Sequence, residues 1–253
     1  MSIPRLHTEH DLTEGVAVPA SGRYLGGVLR RGAGDPVLLF NGRDGEWRGR
    51  IGFVRKDDAG VVPEARVRDQ PPPSGPVLLM AALKRDAMEW TVEKATELGA
   101  RAIRPVLTAR AVPDRVNRAR LALIAREAAE QCERMDVPEV ADAAPLHAAL
   151  AAWDGSPLLV AAERRGARTL AEGALGAPSL PALLVGPEGG FTGPELDALL
   201  RHPFVAEASL GPRILRAETA AVSALAVVQA IRGDWTSEAA RGTTLDTTHV
   251  ESR

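Results

Sequence analysis

Leu184-Val185-Gly186-Pro187-Glu188-Gly189-Gly190-Phe191-Thr192 joins an apolar run to a polar one, and its reading decides the fold. Leu180 to Val185 is a short, almost continuous apolar stretch, the pattern of a parallel strand covered on both faces. Gly-Pro-Glu-Gly-Gly then turns the chain. Thr192 with Glu195 three residues on is a capping box, which opens a helix running to Arg201. A buried strand, a glycine turn and a capped helix make one half of a β-α-β unit.

The same unit recurs outward in both directions. Val77 to Leu83 is a second apolar run. Asp86 with Glu89 predicts a capped helix that Gly99 closes. Ala102 to Leu107 reads as a strand and Arg115 to Arg134 as a long helix. Leu158 to Ala162 and Phe204 to Leu210 read as further strands, and Glu218 to Arg232 as the last helix. Alternating strands and helices predict a parallel α/β sheet. Residues 1–70 differ. Val37-Leu38-Leu39-Phe40 leads into Asn41-Gly42, Arg50 to Val54 alternates, and Gly60 precedes a run from Val61 to Val67. Short strands spaced by turns predict a small β-barrel. Gln70-Pro71-Pro72-Pro73-Ser74-Gly75-Pro76 cannot pair in a sheet, so the boundary falls there. The expected division is a β-domain over 1–70, a linker over 71–76, an α/β domain over 77–232, and a polar, disordered tail over 233–253.

The chain has 253 residues, 45% hydrophobic and 25% charged, with a net charge of −2. That profile is globular. No apolar run is long enough to span a bilayer. The N-terminal ten residues hold no signal-peptide core, so a cytoplasmic location is expected. Charge is uneven: residues 77–126 carry ten basic and five acidic side chains, whereas the chain after them is acidic. Such a block is either a phosphate-binding face or a solvated arginine-rich surface. The single cysteine, Cys132, rules out an internal disulfide framework, and the five histidines lack metal-ligand spacing, so no metal is expected.

Two segments carry candidate chemistry. One is the Gly186–Gly190 turn. The other is Leu210-Gly211-Pro212-Arg213-Ile214-Leu215-Arg216-Ala217-Glu218-Thr219-Ala220, in which a strand ends in a glycine turn flanked by two arginines and a helix follows at a Glu-Thr cap. Ligands of α/β sheets sit beyond the carboxyl ends of strands. Glycine admits close approach of backbone to a ligand, and arginine fixes anions through a rigid fork of donors. Neither turn is a dinucleotide fingerprint or a Walker loop. On the residues alone, a small-molecule site and two bare strand-to-helix turns stand equally.

The motifs themselves are informative. Ile3-Pro4-Arg5, Val28-Leu29-Arg30, Met88-Glu89, Lys94 to Gly99 (KATELG), Glu130 to Arg134 (EQCER) with Val137 to Glu139, Gly186 to Phe191 (GPEGGF) and Leu210 to Ala220 (LGPRILRAETA) occur in this order. In these the sequence resembles the RsmE-type 16S rRNA (uracil-N3)-methyltransferases of the SPOUT superfamily, from its first residues to about Ala230. Two positions depart from the family pattern: Tyr24 stands where many members have His, and Glu93 where many have Gln.

The resemblance implies a PUA-like RNA-binding barrel followed by a trefoil-knotted α/β methyltransferase domain, S-adenosyl-L-methionine as cofactor, 16S rRNA or the small ribosomal subunit as partner, and a homodimer. It implies a cofactor site in three loops, formed by Ala161, by Val185, Gly186, Pro187, Glu188, Gly189 and Gly190, and by Leu210, Gly211, Ile214 and Leu215. Arg213, Arg216 and Glu218 would lie near the methyl donor or the target base as catalytic residues. Arg5, Arg30, Lys84 and Arg85 are the expected RNA contacts. Methyl transfer needs no nucleophile, so Cys132 is expected to pack in its helix. Two other readings remain: a non-catalytic RNA-binding ribosome-assembly factor with a vestigial site, and a nucleotide-binding enzyme that does not act on RNA.

Overall fold

The apolar runs after the proline-rich segment form strands in the computed structural model, which describes residues 3–111, 116–162 and 167–236. Strand β6 (Val77–Ala81) is buried at every position. Helix α1 (Arg85–Glu97) follows it, then β7 (Ala102–Leu107). Gly99 ends α1 in the left-handed region at φ +79°, and the Ala100 amide donates to the Ala95 carbonyl at 2.9 Å, the long backward bond of a Schellman close. The start of α1 departs from expectation. Its N-cap is Lys84 with no side-chain cap, and Asp86 lies inside the first turn. Glu89, meant to complete a capping box, pairs instead with Arg85 at 2.8 Å.

Two dipeptide strands, β8 (Glu139–Val140) and β9 (Ala144–Pro145), precede α3 (Leu146–Ala151). Then come β10 (Leu158–Ala161), α4 (Leu170–Gly176), β11 (Ala182–Val185), α5 (Gly193–Leu200), β12 (Val205–Ala208) and α6 (Ala217–Arg232). The sheet runs β12-β10-β11-β6-β7-β8, with β9 also on β7. All its pairs are parallel. One buried cluster includes Leu79, Val106, Leu158, Val160, Leu184, Leu196 and Leu199, from strands and from α5. Helix α6 contacts α1, α4, β6 and β11.

The N-terminal strands are β1 (Arg5–His7), β2 (Val18–Ala20), β3 (Pro36–Phe40), β4 (Glu46–Val54) and β5 (Ala59–Arg68). They form a five-stranded sheet in the order β1-β3-β4-β5-β2, in which only β1 and β3 are parallel. Its core holds Leu12, Leu25, Val37, Leu39, Ile51 and Val61. Residues Arg23–Val28 make a π-helical turn, and Arg30 follows it at φ +53°.

The chain divides into two units, Met1–Pro73 with Ala119–Pro138 and Ser74–Arg118 with Glu139–Arg253. The first boundary falls inside the proline-rich segment. The excursion of helix α2 (Arg118–Gln131) into the first unit departs from the expected single stretch over 77–232. The physical reason is a polar clasp. Arg5, at 7% exposure, donates through Nη1 to the carbonyls of Ala129 and Glu130 and through Nη2 to that of Arg134, at 3.2, 3.4 and 2.9 Å. These carbonyls belong to the last turn of α2 and the chain just after it, where a helix lacks partners and favours positive charge. Arg5 Nε donates to Glu46 Oε1 at 2.6 Å, and Arg68 Nε donates to Glu46 Oε2 at 2.7 Å. The His7 amide donates to the Glu130 carboxylate at 2.9 Å.

The last described residues also differ from a disordered tail: Asp234–Thr236 form a 3-10 turn against α6. Residues 237–253 of that expected tail, and Arg115 at the expected start of α2, lie outside the described residues.

Candidate functional site

The second unit brings the expected turns to one edge. In the register of the sheet Ala161 stands level with Val185 on one side and with Ala208 on the other. Neighbouring strands lie about 4.8 Å apart, so the segments leaving β10, β11 and β12 start side by side at the carboxyl edge. The Ala162 amide donates to the Ala208 carbonyl at 3.2 Å. The Ser209 amide donates to the Arg168 carbonyl at 2.8 Å, and the Leu170 amide donates back to the Ser209 carbonyl at 2.9 Å. The segments after β10 and β12 are thus tied together by main chain.

At the end of β11 Val185 is buried, as are Gly186 and Pro187 after it, while Glu188 and Gly189 reach the surface. The Gly190 amide donates to the Pro187 carbonyl at 2.8 Å and closes the turn. Gly190 sits at φ +65°, and a side chain there would point into open space. Thr192 and Glu195 form the expected capping box on α5. Glu195 Oε1 also accepts from the Ala109 amide, at 2.7 Å. Burial pushes the Glu195 carboxyl up, but the amides of Ala109 and Thr192 outweigh it and hold the group below its ordinary pKa. Self-capping has a chemical consequence. The box satisfies the amides of Thr192 and Glu195, and Pro194 has none, so the N-terminus of α5 offers fewer bare amides than a nucleotide phosphate takes at such turns. That weighs against a nucleotide-binding enzyme.

After β12, Gly211 takes φ +102°, again with open space where a side chain would begin. Residues 211–214 are exposed, Ile214 at 82%, and Leu210 and Leu215 are half buried. Arg213 is exposed. Arg216 is the N-cap of α6, with an extended backbone and no side-chain cap, so the expected Glu-Thr cap is not what starts the helix. Glu218 falls in the first turn, where a carboxylate complements the helix dipole. The Arg216 and Glu218 side chains approach to 4.0 Å. That is an ion pair at its outer limit and not a hydrogen bond. Arg216 remains 84% exposed at its side chain, so Glu218 does not lock its fork.

The basic residues separate. Lys84 and Arg85 follow β6 and are exposed on the same carboxyl edge as the two turns, β6 being the neighbour of β11. Arg30 is exposed beyond the π-helical turn in the first unit. Arg5 corrects the expectation of an RNA contact. It is buried, its guanidinium is engaged by Glu46 and three carbonyls, and it lies over the Phe40 ring at 4.8 Å. It has no free face for a phosphate.

One residue escaped the sequence reading. Arg110 follows β7, and its Nη1 donates to the Gly189 carbonyl at 2.6 Å. Its only sequence signal was a basic side chain three residues beyond the end of a parallel strand.

Comparison with known proteins agrees with this geometry. Residues 71–229 match the family model described as an RNA methyltransferase domain. A protein of Rickettsia conorii named ribosomal RNA small subunit methyltransferase E is 33% identical, the match covering 81% of this chain and 85% of that one. One of the same name from Bacillus subtilis is 32% identical, with 83% and 89% covered. The crystal structure of a ribosomal RNA small subunit methyltransferase E from Neisseria gonorrhoeae bound to S-adenosyl methionine superposes with a TM-score of 0.83. It is 29% identical, and the superposition covers 93% of this chain and all of that one. With these relatives and these turns, the chain belongs to the ribosomal RNA small subunit methyltransferase E family of RNA methyltransferases.

Proposed function

We propose that this protein transfers a methyl group from S-adenosylmethionine to N3 of a uridine in 16S rRNA. The observation that carries the reading is the level placement of two open glycine turns at the carboxyl edge of β11 and β12, in a family whose Neisseria member holds that cofactor. The residues fit the group. S-adenosylmethionine has no phosphate, so it does not need the α5 N-terminus that Thr192 and Glu195 already fill. It needs a thin wall for a flat base and ribose. Gly190 and Gly211 leave such space open, and Ile214 offers an uncovered apolar surface. Ala161, the Val185–Gly190 segment, Leu210, Gly211, Ile214 and Leu215 would hold the cofactor.

When bound, the cofactor supplies a methyl group already activated on a positive sulfur. The chain's own work is to hold the uracil and favour loss of its N3 proton. N3 lies on the pairing edge, so the base enters unpaired. Arg216 and Arg213, exposed beside the Gly211 turn, are the donors for the oxygen charge that develops as N3 loses its proton. Glu218 serves the helix that positions Arg216 and does not grip its guanidinium. Lys84 and Arg85 on the same edge, and Arg30 on the first unit, are the expected phosphate contacts.

The further family features belong to this proposal. The first unit would be a PUA-like RNA-binding barrel, and its five-stranded sheet supports this. The second would carry the trefoil knot. A homodimer would cover exposed apolar groups such as Leu175 and Trp235. Helix α6, apolar over much of its length, is contacted within the chain by α1, α4, β6 and β11. Cytoplasmic location follows from the substrate.

The test is mass-spectrometric mapping of methylated uridines in 16S rRNA from cells with and without the protein, paired with labelled methyl transfer by the purified chain. One uridine that loses its N3 methyl supports the proposal. RNA binding without transfer favours the assembly-factor reading, and methylation of a non-RNA acceptor alone rejects both.

A further inference from the structure

The turn after β11 has three glycines in five residues, Gly186, Gly189 and Gly190. Such a segment is costly to order, since glycine loses more backbone freedom than any other residue. Its single internal closure is the bond from the Gly190 amide to the Pro187 carbonyl. A shape reproducible enough to bind a ligand calls for bracing from outside.

The segment after β7 supplies it at two points. The Ala109 amide holds Glu195, whose other oxygen takes the Thr192 amide and hydroxyl at 2.8 Å each. Arg110 Nη1 holds the Gly189 carbonyl at 2.6 Å. The stem of Arg110 lies where a side chain on residue 189 would begin: Cδ is 3.3 Å and Cβ 3.6 Å from that point. The brace crosses β6, which stands between β11 and β7 in the sheet. A bond from a cation to a carbonyl is stronger than one between neutral groups. It also fixes which way the 189–190 peptide faces. With that carbonyl turned to Arg110, the remaining polar groups of the turn are left for a ligand.

We infer that Arg110 is a positioning residue for the methyl donor, acting through Gly189 without touching the donor itself. The inference rests on the reading of this turn as the donor site. Arg110→Ala in the full chain is expected to weaken S-adenosylmethionine binding about tenfold by calorimetry. In the ligand-free protein, amide hydrogen exchange should quicken at residues 188–191. The melting temperature and the salt dependence of RNA affinity should stay as in the parent. Arg110→Lys, which keeps a charged donor on a different head group, should recover part of the affinity. Unchanged cofactor affinity and unchanged exchange in Arg110→Ala overturn the inference. So does a drop of about 0.7–0.9 in the salt slope with cofactor affinity intact, because Arg110 would then be a phosphate contact. Failure of the parent protein itself to bind S-adenosylmethionine defeats the donor-site reading, an outcome separate from a parent and variant that bind equally.

Discussion

Arg5 and Arg216 carry the same guanidinium in opposite surroundings. Around Arg5, in the first unit, the cation is 5% exposed at its side chain, paired with a Glu46 that is 1% exposed, and bonded to three carbonyls. Around Arg216, in the second unit, the cation is 84% exposed and meets Glu218 only at 4.0 Å. The first region spends its arginine on holding chain segments together. The second leaves its arginine uncommitted beside an open glycine turn. An arginine's role therefore follows from how many of its donors the fold has already claimed.

The largest effect expected from this contrast is on stability. Arg5→Ala uncaps α2 and leaves Glu46 buried with Arg68 as its remaining cation. The cost should be about 3 kcal/mol, within the range for breaking a buried pair, or a melting temperature lower by about 6–12 °C for a chain this size. The salt slope of RNA binding should not move. A lower slope at unchanged melting temperature would return Arg5 to the RNA face and collapse the contrast.

Arg216→Ala should do the reverse. Single-turnover methylation should fall about 10²–10³-fold, with cofactor affinity and melting temperature nearly unchanged, since in the proposed role the lost interaction forms only towards the transition state. Near-normal turnover would end the catalytic role. Charge reversal at Arg30 and Arg85 probes two other exposed arginines. Each should lower the salt slope by roughly 0.7–0.9 with no loss in single-turnover rate at saturating RNA, and an intact slope would move the RNA face elsewhere.

The smallest effect concerns His7, next to the Arg5 clasp. Burial first, and the nearby Arg126 second, hold its pKa below the ordinary histidine value. The folded state thus takes up this proton less readily than the unfolded chain. The His7 contribution is complete above the ordinary histidine pKa and is lost as pH falls through the lowered one. Burial pushes Glu130 the other way, to a raised pKa, and its contribution is lost as pH rises through that value. His7→Phe should flatten the acid limb of melting temperature against pH just below neutrality. An unchanged limb would show that His7 is not its source.

Much of the second unit was legible. Val77 to Ala81 and Ala182 to Val185 are apolar without alternation because both faces of their sheet are covered, and their short length and alternation with helices mark them as parallel strands. Thr192 and Glu195 declare their helix because both partners of the capping box lie within four residues. The two glycine turns were visible for the same local reason. What stayed hidden depended on distance. The allegiance of α2 is settled by Arg5 reaching a carbonyl 129 positions along the chain, and no local pattern carries that. Arg5 itself looked like a surface cation because Glu46 and the end of α2 are remote in sequence. Arg110 was hidden because its partner is a backbone carbonyl 79 residues away. Three-residue strands such as β1 and β2, and the six residues of α3, are too short to show a period.

The clasp at the end of α2 also bears on synthesis. The first unit needs Ala119–Pro138, so it cannot finish folding when the proline-rich segment leaves the ribosome. Arg5 must wait for the carbonyls of the helix end until the 45 residues Ser74–Arg118 of the second unit and the 20 residues Ala119–Pro138 have been made. Contacts this remote in sequence slow folding, because the loop must close before they repay it. A fragment cut after Pro73 should therefore be a poor folder, whereas an assembly joining residues 1–73 to 119–138 through a short linker should form the unit on its own.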